Sequence, residues 1–366
     1  LSIARQQMVE IARAQAFAAD VVIFDEPTAS LTDTEKAQLF ATIEGLKARG
    51  AGIVYISHKM DEIFEITDRI TVLRDGQVQG TVETAGTDAT AITRMMIGRT
   101  LESYFHRAQS AFGEEVLRVE GLTLPGLFQD VSLSVRQGEV VGLYGLVGAG
   151  RSEVVETLFG IRRGAAGRLW WQGAERPLPS PRQATRMGMA LVPESRKEQG
   201  LVLGMGGAEN ITLPHLEMFS NARILDRAKE RAIFDRYRET LDIKTTGPDQ
   251  PVRTLSGGNQ QKFVLAKWLC AEPRLVILDE PTRGIDVGSK SAIHELIAGL
   301  AEQGLAVLVI SSEMPEVLGV SHRVLCMAEG RMVADYEGAG MTEENLIDAV
   351  SHHVRPADVP EPLAAH

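Results

Sequence analysis

Cysteine is nearly missing from this 366-residue chain: there are two, Cys270 and Cys326, with no CxxC spacing. That excludes a disulfide scaffold and a thiolate metal site, and it suits buried packing residues in a reducing compartment. No apolar run approaches the ~18 residues that a membrane-crossing helix needs, and no stretch reads as a secretory leader. The sequence therefore predicts a soluble, cytoplasmic protein, unless a partner holds it at a membrane. A basic excess is missing too. The net charge is −11, which argues against nucleic-acid binding, whose footprint is a basic face. Position 1 is Leu1 and not Met, and a motif begins there at once, so the chain reads as one that lacks its start. What is present is 44% hydrophobic residues, enough for real cores over a length that suits two or three domains.

Short phrases occur twice at one spacing. Leu1-Ser2 and Gln6-Gln7 return as Leu255-Ser256 and Gln260-Gln261. Asp25-Glu26-Pro27-Thr28 returns as Asp279-Glu280-Pro281-Thr282, and Ser57, Met60 and Glu62 return as Ser311, Met314 and Glu316, always 254 positions on. Solenoid units repeat every ~20–50 residues, so this offset means a duplicated domain. Residues 21–26 and 275–280 are apolar runs ending in two acids, and they read as buried parallel strands with the acids at their C-terminal ends. Residues 34–48 and 288–302 carry helical periodicity, and 54–57 and 306–311 are strand-like again. Strand, helix, strand predicts an α/β fold with a mainly parallel sheet. The boundaries read as a first domain over 1–99, a connector over 100–115, a second domain over 116–354 and a disordered tail over 355–366. A charged helical insertion falls within 195–253.

The segment Gly145, Leu146, Val147, Gly148, Ala149, Gly150, Arg151, Ser152 lies between a strand and a helix and fits the phosphate-loop pattern, with Arg151 where lysine is expected. Glycines let backbone N–H groups curl round phosphate oxygens, and the helix N-terminus adds a favourable dipole. A plain glycine-rich turn has the same outline, and arginine brings a planar fork in place of a compact ammonium. In the two DEPT segments, Asp25 and Asp279 would orient Mg²⁺, as would Ser152, while Glu26 and Glu280 could act as general bases on water. An acid pair can merely cap a strand, but two followed by Pro-Thr at one repeat offset argue against that. Ser256, Gly257 and Gly258 open a helix with bare backbone suited to an anion. A lone His58 after a strand is often packing; what sets it apart is its place 32 residues after Glu26. Trp170 and Trp171 read as packing, and His352-His353 show no metal spacing.

Taken together, LSGGNQQ, the two DEPT segments and ISH resemble an ABC-type ATPase, a P-loop NTPase fold. The longer wording (GLVGAGRSE, LVPESRKEQGL, ENITLP, LDEPTRGIDVGSK, ISSEMPEVLG) is similar to the tandem ATP-binding subunits of simple-sugar importers of the ribose, galactose and xylose type, over roughly residues 1–352. The resemblance implies two fused nucleotide-binding domains, each with a helical subdomain. It implies ATP and Mg²⁺ as ligands, two membrane permease subunits, a periplasmic sugar-binding protein, and a place on the cytoplasmic face of the membrane. It gives His58 a role at the γ-phosphate. It puts Glu194 where glutamine is usual, Ser312 where the switch histidine is usual, and Ser256, Gly257, Gly258 and Gln260 in the signature, whose first copy includes Ser2. Phe128 is a weak candidate for the adenine-stacking ring. The first domain starts only at its signature, so its phosphate loop, on the order of 140 residues with its leading strands, lies outside this chain.

Because the family's domains face each other head to tail, one site would join Glu26 and His58 to the intact LSGGNQ. The other would join Arg151, Glu280 and Ser312 to LSIARQ, where Ile3 and Ala4 replace the glycines. The first is expected to be the motor and the second a slow, nucleotide-holding site. A soluble tandem ATPase acting on ribosomes or DNA predicts a long basic linker and two intact sites. The short connector 100–115 and the degraded second site argue against it. Cargo other than a common sugar, such as a nucleoside, is not excluded by sequence.

Overall fold

The computed structural model describes residues 13, 19–25, 27–28, 33–57, 59–74, 77–97, 107–146, 148–221 and 224–351. They form two compact units, one running to Ser103 and one taking up nearly all that follows. In the first, β1 (Val21–Asp25), α1 (Asp33–Ala48), β2 (Gly52–Ile56) and α2 (Met60–Ile66) precede a hairpin of β3 (Arg69–Arg74) and β4 (Gln77–Glu83), then α3 (Ala89–Ile97). Strands β1 and β2 pair in parallel, Val21 opposite Gly52. Their inward residues Val22 and Phe24 pack with Leu39, Phe40, Ile43 and Leu46 of α1.

The other face of this pair is bare. Val21 is 61% exposed, Ile23 65%, Val54 48% and Ile56 46%. The expectation of a fully buried strand at 21–26 is therefore corrected: alternate residues face solvent.

The second unit opens with β5 (Glu115–Leu124), β6 (Phe128–Arg136), β7 (Val140–Gly145), α4 (Arg151–Leu158), β8 (Ala166–Trp171) and β9 (Ala174–Arg176). Helix α5 (Pro181–Met187) and β10 (Met189–Val192) follow, then a turn of π-helix over Arg196–Gly200 and α6 (Gly207–Thr212). A two-residue pair, β11 (Ser220–Asn221) and β12 (Ile224–Leu225), leads to α7 (Arg227–Thr240) and α8 (Gly257–Leu269). The last run is β13 (Leu275–Asp279), α9 (Val287–Glu302), β14 (Ala306–Ile310), α10 (Met314–Val320), β15 (Arg323–Ala328), β16 (Arg331–Glu337) and α11 (Glu343–Ser351).

Six strands form one sheet in the order β10-β13-β14-β7-β15-β16, parallel except for the final pair. Four more form an antiparallel sheet, β6-β5-β8-β9. Between the two sheets Leu117, Val119, Leu143, Leu158, Leu169 and Ile277 make a dry core. A second core on the far face of the six-stranded sheet gathers Phe234 and Phe263, stacked at 6.2 Å, with Val264, Leu278 and Val309. Strands β7, β13 and β14 are therefore buried on both faces, as uninterrupted apolar runs require.

From β13 to α11, every element repeats one of the first unit 254 positions later, with the same ends. Even the bulge recurs, between Val72 and Leu73 in one copy and Cys326 and Met327 in the other. Both cysteines are buried and unbridged. Trp171 is buried, whereas Trp170 lies between the guanidinium groups of Arg118 (4.4 Å) and Arg168 (4.9 Å). No described helix is long and apolar enough to cross a membrane.

Candidate nucleotide site

Strand β7 delivers the glycine-rich loop to the C-terminal edge of the six-stranded sheet, where ligands of open α/β sheets bind. Its glycines have different reasons. A Cβ on Gly145 would stand 2.4 Å from the carbonyl oxygen of Met327, a packing constraint. Gly148 and Gly150 have φ of +85° and +95°, which a side chain would strain. Gly150 caps α4, leaving the helix N-terminus open. Leu146 and Gly148 are exposed, and Val147 lies outside the described residues.

Arg151 turns inward. Its Nη1 donates to the Ser311 carbonyl at 2.8 Å, and its Nη2 stands 3.6 Å from Glu280 Oε1. Both carboxylates at the end of β13 are held up in pKa by burial. Asp279 is pushed up to about 6, with the Ser152 hydrogen bond and Arg151 opposing and Glu280 adding to the rise. Glu280 is raised by burial against the opposing Ser312 backbone, Arg151 and the Ser312 hydroxyl. Ser312 Oγ donates to Glu280 Oε2 at 3.1 Å. Glu280 itself has a φ of +49°, a strained setting for a non-glycine residue, and its N–H donates to Ile310 O at 2.9 Å.

One atom stands out. Asp279 Oδ1 is buried with no hydrogen-bond partner among the described residues. A buried carboxylate oxygen in this condition, beside the Ser152 hydroxyl, fits an oxygen-ligated divalent cation such as Mg²⁺.

Beneath these groups lies a network that the sequence reading did not assign. Glu316 Oε2 accepts from Thr282 (2.9 Å) and Ser311 (2.5 Å), and Oε1 lies 2.7 Å from His294 Nε2. The first unit has a counterpart in Glu62, which accepts from Thr28 (2.8 Å), Tyr55 (2.8 Å) and Ser57 (3.3 Å). The repeat offset contained the signal, since Thr28, Ser57 and Glu62 all recur. His294 carried none: position 40 is Phe40.

The remaining expectations divide. Ser256 caps α8 and accepts from Asn259; it is exposed, Gly257 is half-buried and Gly258 is buried. Gln260 is buried: its Nε2 donates to Val252 O and Leu255 O of its own loop, and its Oε1 has no hydrogen-bond partner among the described residues. Glu194 is ion-paired with Arg283. Phe128 is 4% exposed and packs in the core, while also lining the cleft beside it. The adjoining cleft of about 450 Å³ is lined by Pro125, Leu127, Gln129 and Arg331, among others, and Gly150 abuts it, with a Cβ there coming 3.3 Å from Leu127 O. Asp25 ends β1. Ser2, Glu26 and His58 lie outside the described residues.

Comparison with known proteins gives the family. Residues 128–283 match the family described as "ABC transporter". The chain is 49% identical over 351 residues to the ribose import ATP-binding protein RbsA of Geobacillus kaustophilus (strain HTA426), covering 96% of this chain and 71% of that one. It is 47% identical over 365 residues to the Roseobacter denitrificans (strain ATCC 33942 / OCh 114) protein of the same name, at 100% and 71% coverage. A solved nucleotide-free ATP-binding cassette from an ABC transporter superimposes with a TM-score of 0.54 at 20% identity, over 64% of this chain and 96% of that one. The last likeness speaks for the fold.

Proposed function

We propose a function from one premise: the chain belongs to the ABC transporter family, among the ribose import ATP-binding proteins. In this reading it is the ATP-binding and ATP-hydrolysing subunit that energises import of a monosaccharide. It would sit peripherally on the cytoplasmic face of the membrane against two permease subunits, and through them serve a periplasmic sugar-binding protein. The observation that carries the nucleotide reading is the orphaned Asp279 Oδ1 beside Ser152, at the foot of a glycine loop and an open helix N-terminus. Ser152 and Asp279 would hold Mg²⁺, whose charge would offset that of the phosphates.

The two units would be the later part of one ATPase domain and the whole of a second. The resemblance pairs each phosphate loop with the other domain's signature. Within the second unit Glu280, read as the general base, has both oxygens engaged: one faces Arg151 and the other accepts from Ser312. Burial keeps this carboxyl's pKa raised, so the handicap is one of access: an attacking water must compete with Arg151 and Ser312 for its oxygens. That supports the reading of a slow site here, with turnover left in this reading to Glu26 and His58 with LSGGNQ.

The test is a pair of variants in the transporter assembled with its permease. Glu26→Gln should cut ATP turnover and sugar uptake by about 10²–10⁴-fold, the usual worth of a positioned base. Glu280→Gln should cost far less. Equal losses would show two firing sites and overturn the division of labour. Loss of Mg-ATP binding at the second unit in Ser152→Ala, followed by calorimetry, tests the nucleotide site itself.

A further inference from the structure

The turn of π-helix after β10 joins three pieces of the second unit. Arg196 Nη1 donates to the carbonyl of Arg283 and Nη2 to that of Gly284, each at 2.7 Å. The same residue 283 is held a second time, through its side chain, by Glu194. Arg283 N–H in turn donates to Glu280 O at 3.1 Å, so this clamp is one turn from the catalytic-end carboxylate. On its other side the guanidinium lies against the first residue of α8. A Cβ on Gly257 would come 2.8 Å from Arg196 Nη2 and 3.3 Å from Gly284 O.

At its far end the turn is fixed to the same helix. Lys267 Nζ, buried, donates to Gly200 O at 2.8 Å, and a Cβ on Gly200 would press on Val264 at 3.0 Å. Two charge-assisted bonds from a planar fork fix direction as well as distance, which a single contact does not. Gly257 thus has a reason to be glycine that does not involve phosphate. It leaves room for a guanidinium held at that spot by its two carbonyl bonds.

We propose that Arg196 is a positioning residue that locks the loop after β13 to the start of α8, so that Glu280's loop and the LSGGNQ turn move as one body. A shift at the phosphate-loop end of the unit then reaches the signature through Glu280, Arg283, Arg196 and Gly257. This second half rests on the nucleotide reading above; the lock itself does not.

Hydrogen exchange on the full chain separates the two. Without nucleotide, Arg196→Ala should speed exchange in 256–262 and 283–285 together, by roughly tenfold or more, the worth of a charged hydrogen bond. Residues 145–152 should be unchanged. Gly257→Ala should do the same with Arg196 intact, because its methyl displaces the guanidinium, although alanine is the better helix former. Arg196→Lys, which can reach one carbonyl but not both, should give an intermediate effect. It also serves as the readout if the alanine variant does not fold. Loosening of only one segment, or of neither, overturns the lock.

With Mg-ATP added, protection in the wild type should appear at 145–152 and at 256–262. In Arg196→Ala only the first should remain. Retention of both overturns the transmission. No protection at 145–152 in the wild type sinks the nucleotide reading instead and leaves the nucleotide-free result to decide the lock.

Discussion

Glu316 shows how a single residue can serve a site it does not touch. Burial pushes its carboxyl pKa up, but the His294 contact, Ser311 and Thr282 more than offset that and hold it below the ordinary range. Ser311 gives its hydroxyl to Glu316 and its carbonyl to Arg151, so the carboxylate anchors the guanidinium of the phosphate loop at one remove. Glu316→Ala would leave several buried polar groups without their acceptor and should cost about 3–5 kcal/mol in urea unfolding. A variant as stable as the parent would remove the argument. The sign of the pH dependence follows from the lowered value. Its stabilisation is complete above the unfolded carboxyl's pKa of about 4.3 and is lost as pH falls through the lower folded value. Acid unfolding followed by circular dichroism should therefore begin at a higher pH in Glu316→Gln than in the parent. Gly145 makes a different point. Its Cβ would meet Met327 O, so Gly145→Ala should destabilise by about 1–3 kcal/mol with no nucleotide present.

At the level of elements, helices and strands were legible wherever local chemistry decides them. The strand-helix-strand runs of both copies follow apolar periodicity, and α7 is opened by Asp226, whose carboxylate accepts from the N–H groups of Ala228 and Lys229. Asp226→Ala should cost about 1 kcal/mol of thermal stability. What the sequence does not carry is which faces are covered. VVIFD and LVILD are alike in type, yet the second is buried throughout and the first only on alternate residues, because its cover comes from distant elements such as β5, β8 and α4. Arg196 was unreadable for the same reason. Its partners lie 87 and 88 residues away, and nothing in RKEQG marks a clamp. Glu316, by contrast, was half visible, since its hydroxyl donors repeat with it.

On the scale of the whole molecule, the open face of β1 and β2 has a cost in solution. Val21, Ile23, Val54 and Ile56 form an exposed apolar strip on a two-stranded sheet. Such a surface invites pairing with another chain. The chain by itself should self-associate at micromolar concentration, and Ile23→Lys should restore a monodisperse species in light scattering. An unchanged size distribution would show that this face is not the sticky one.

The aromatic inventory of the two units has a spectroscopic consequence. All three tryptophans (Trp170, Trp171 and Trp268) belong to the second unit, so intrinsic indole emission is blind to the first. Trp268 and Trp171 pack against the cores while Trp170 lies between two cations, so the emission is a composite of quenched and shielded rings. If the units melt independently, far-ultraviolet ellipticity should begin to fall while the fluorescence is still native, and the two curves should meet only after the second unit has opened. The gap between those curves measures the stability of the first unit alone, with no label added.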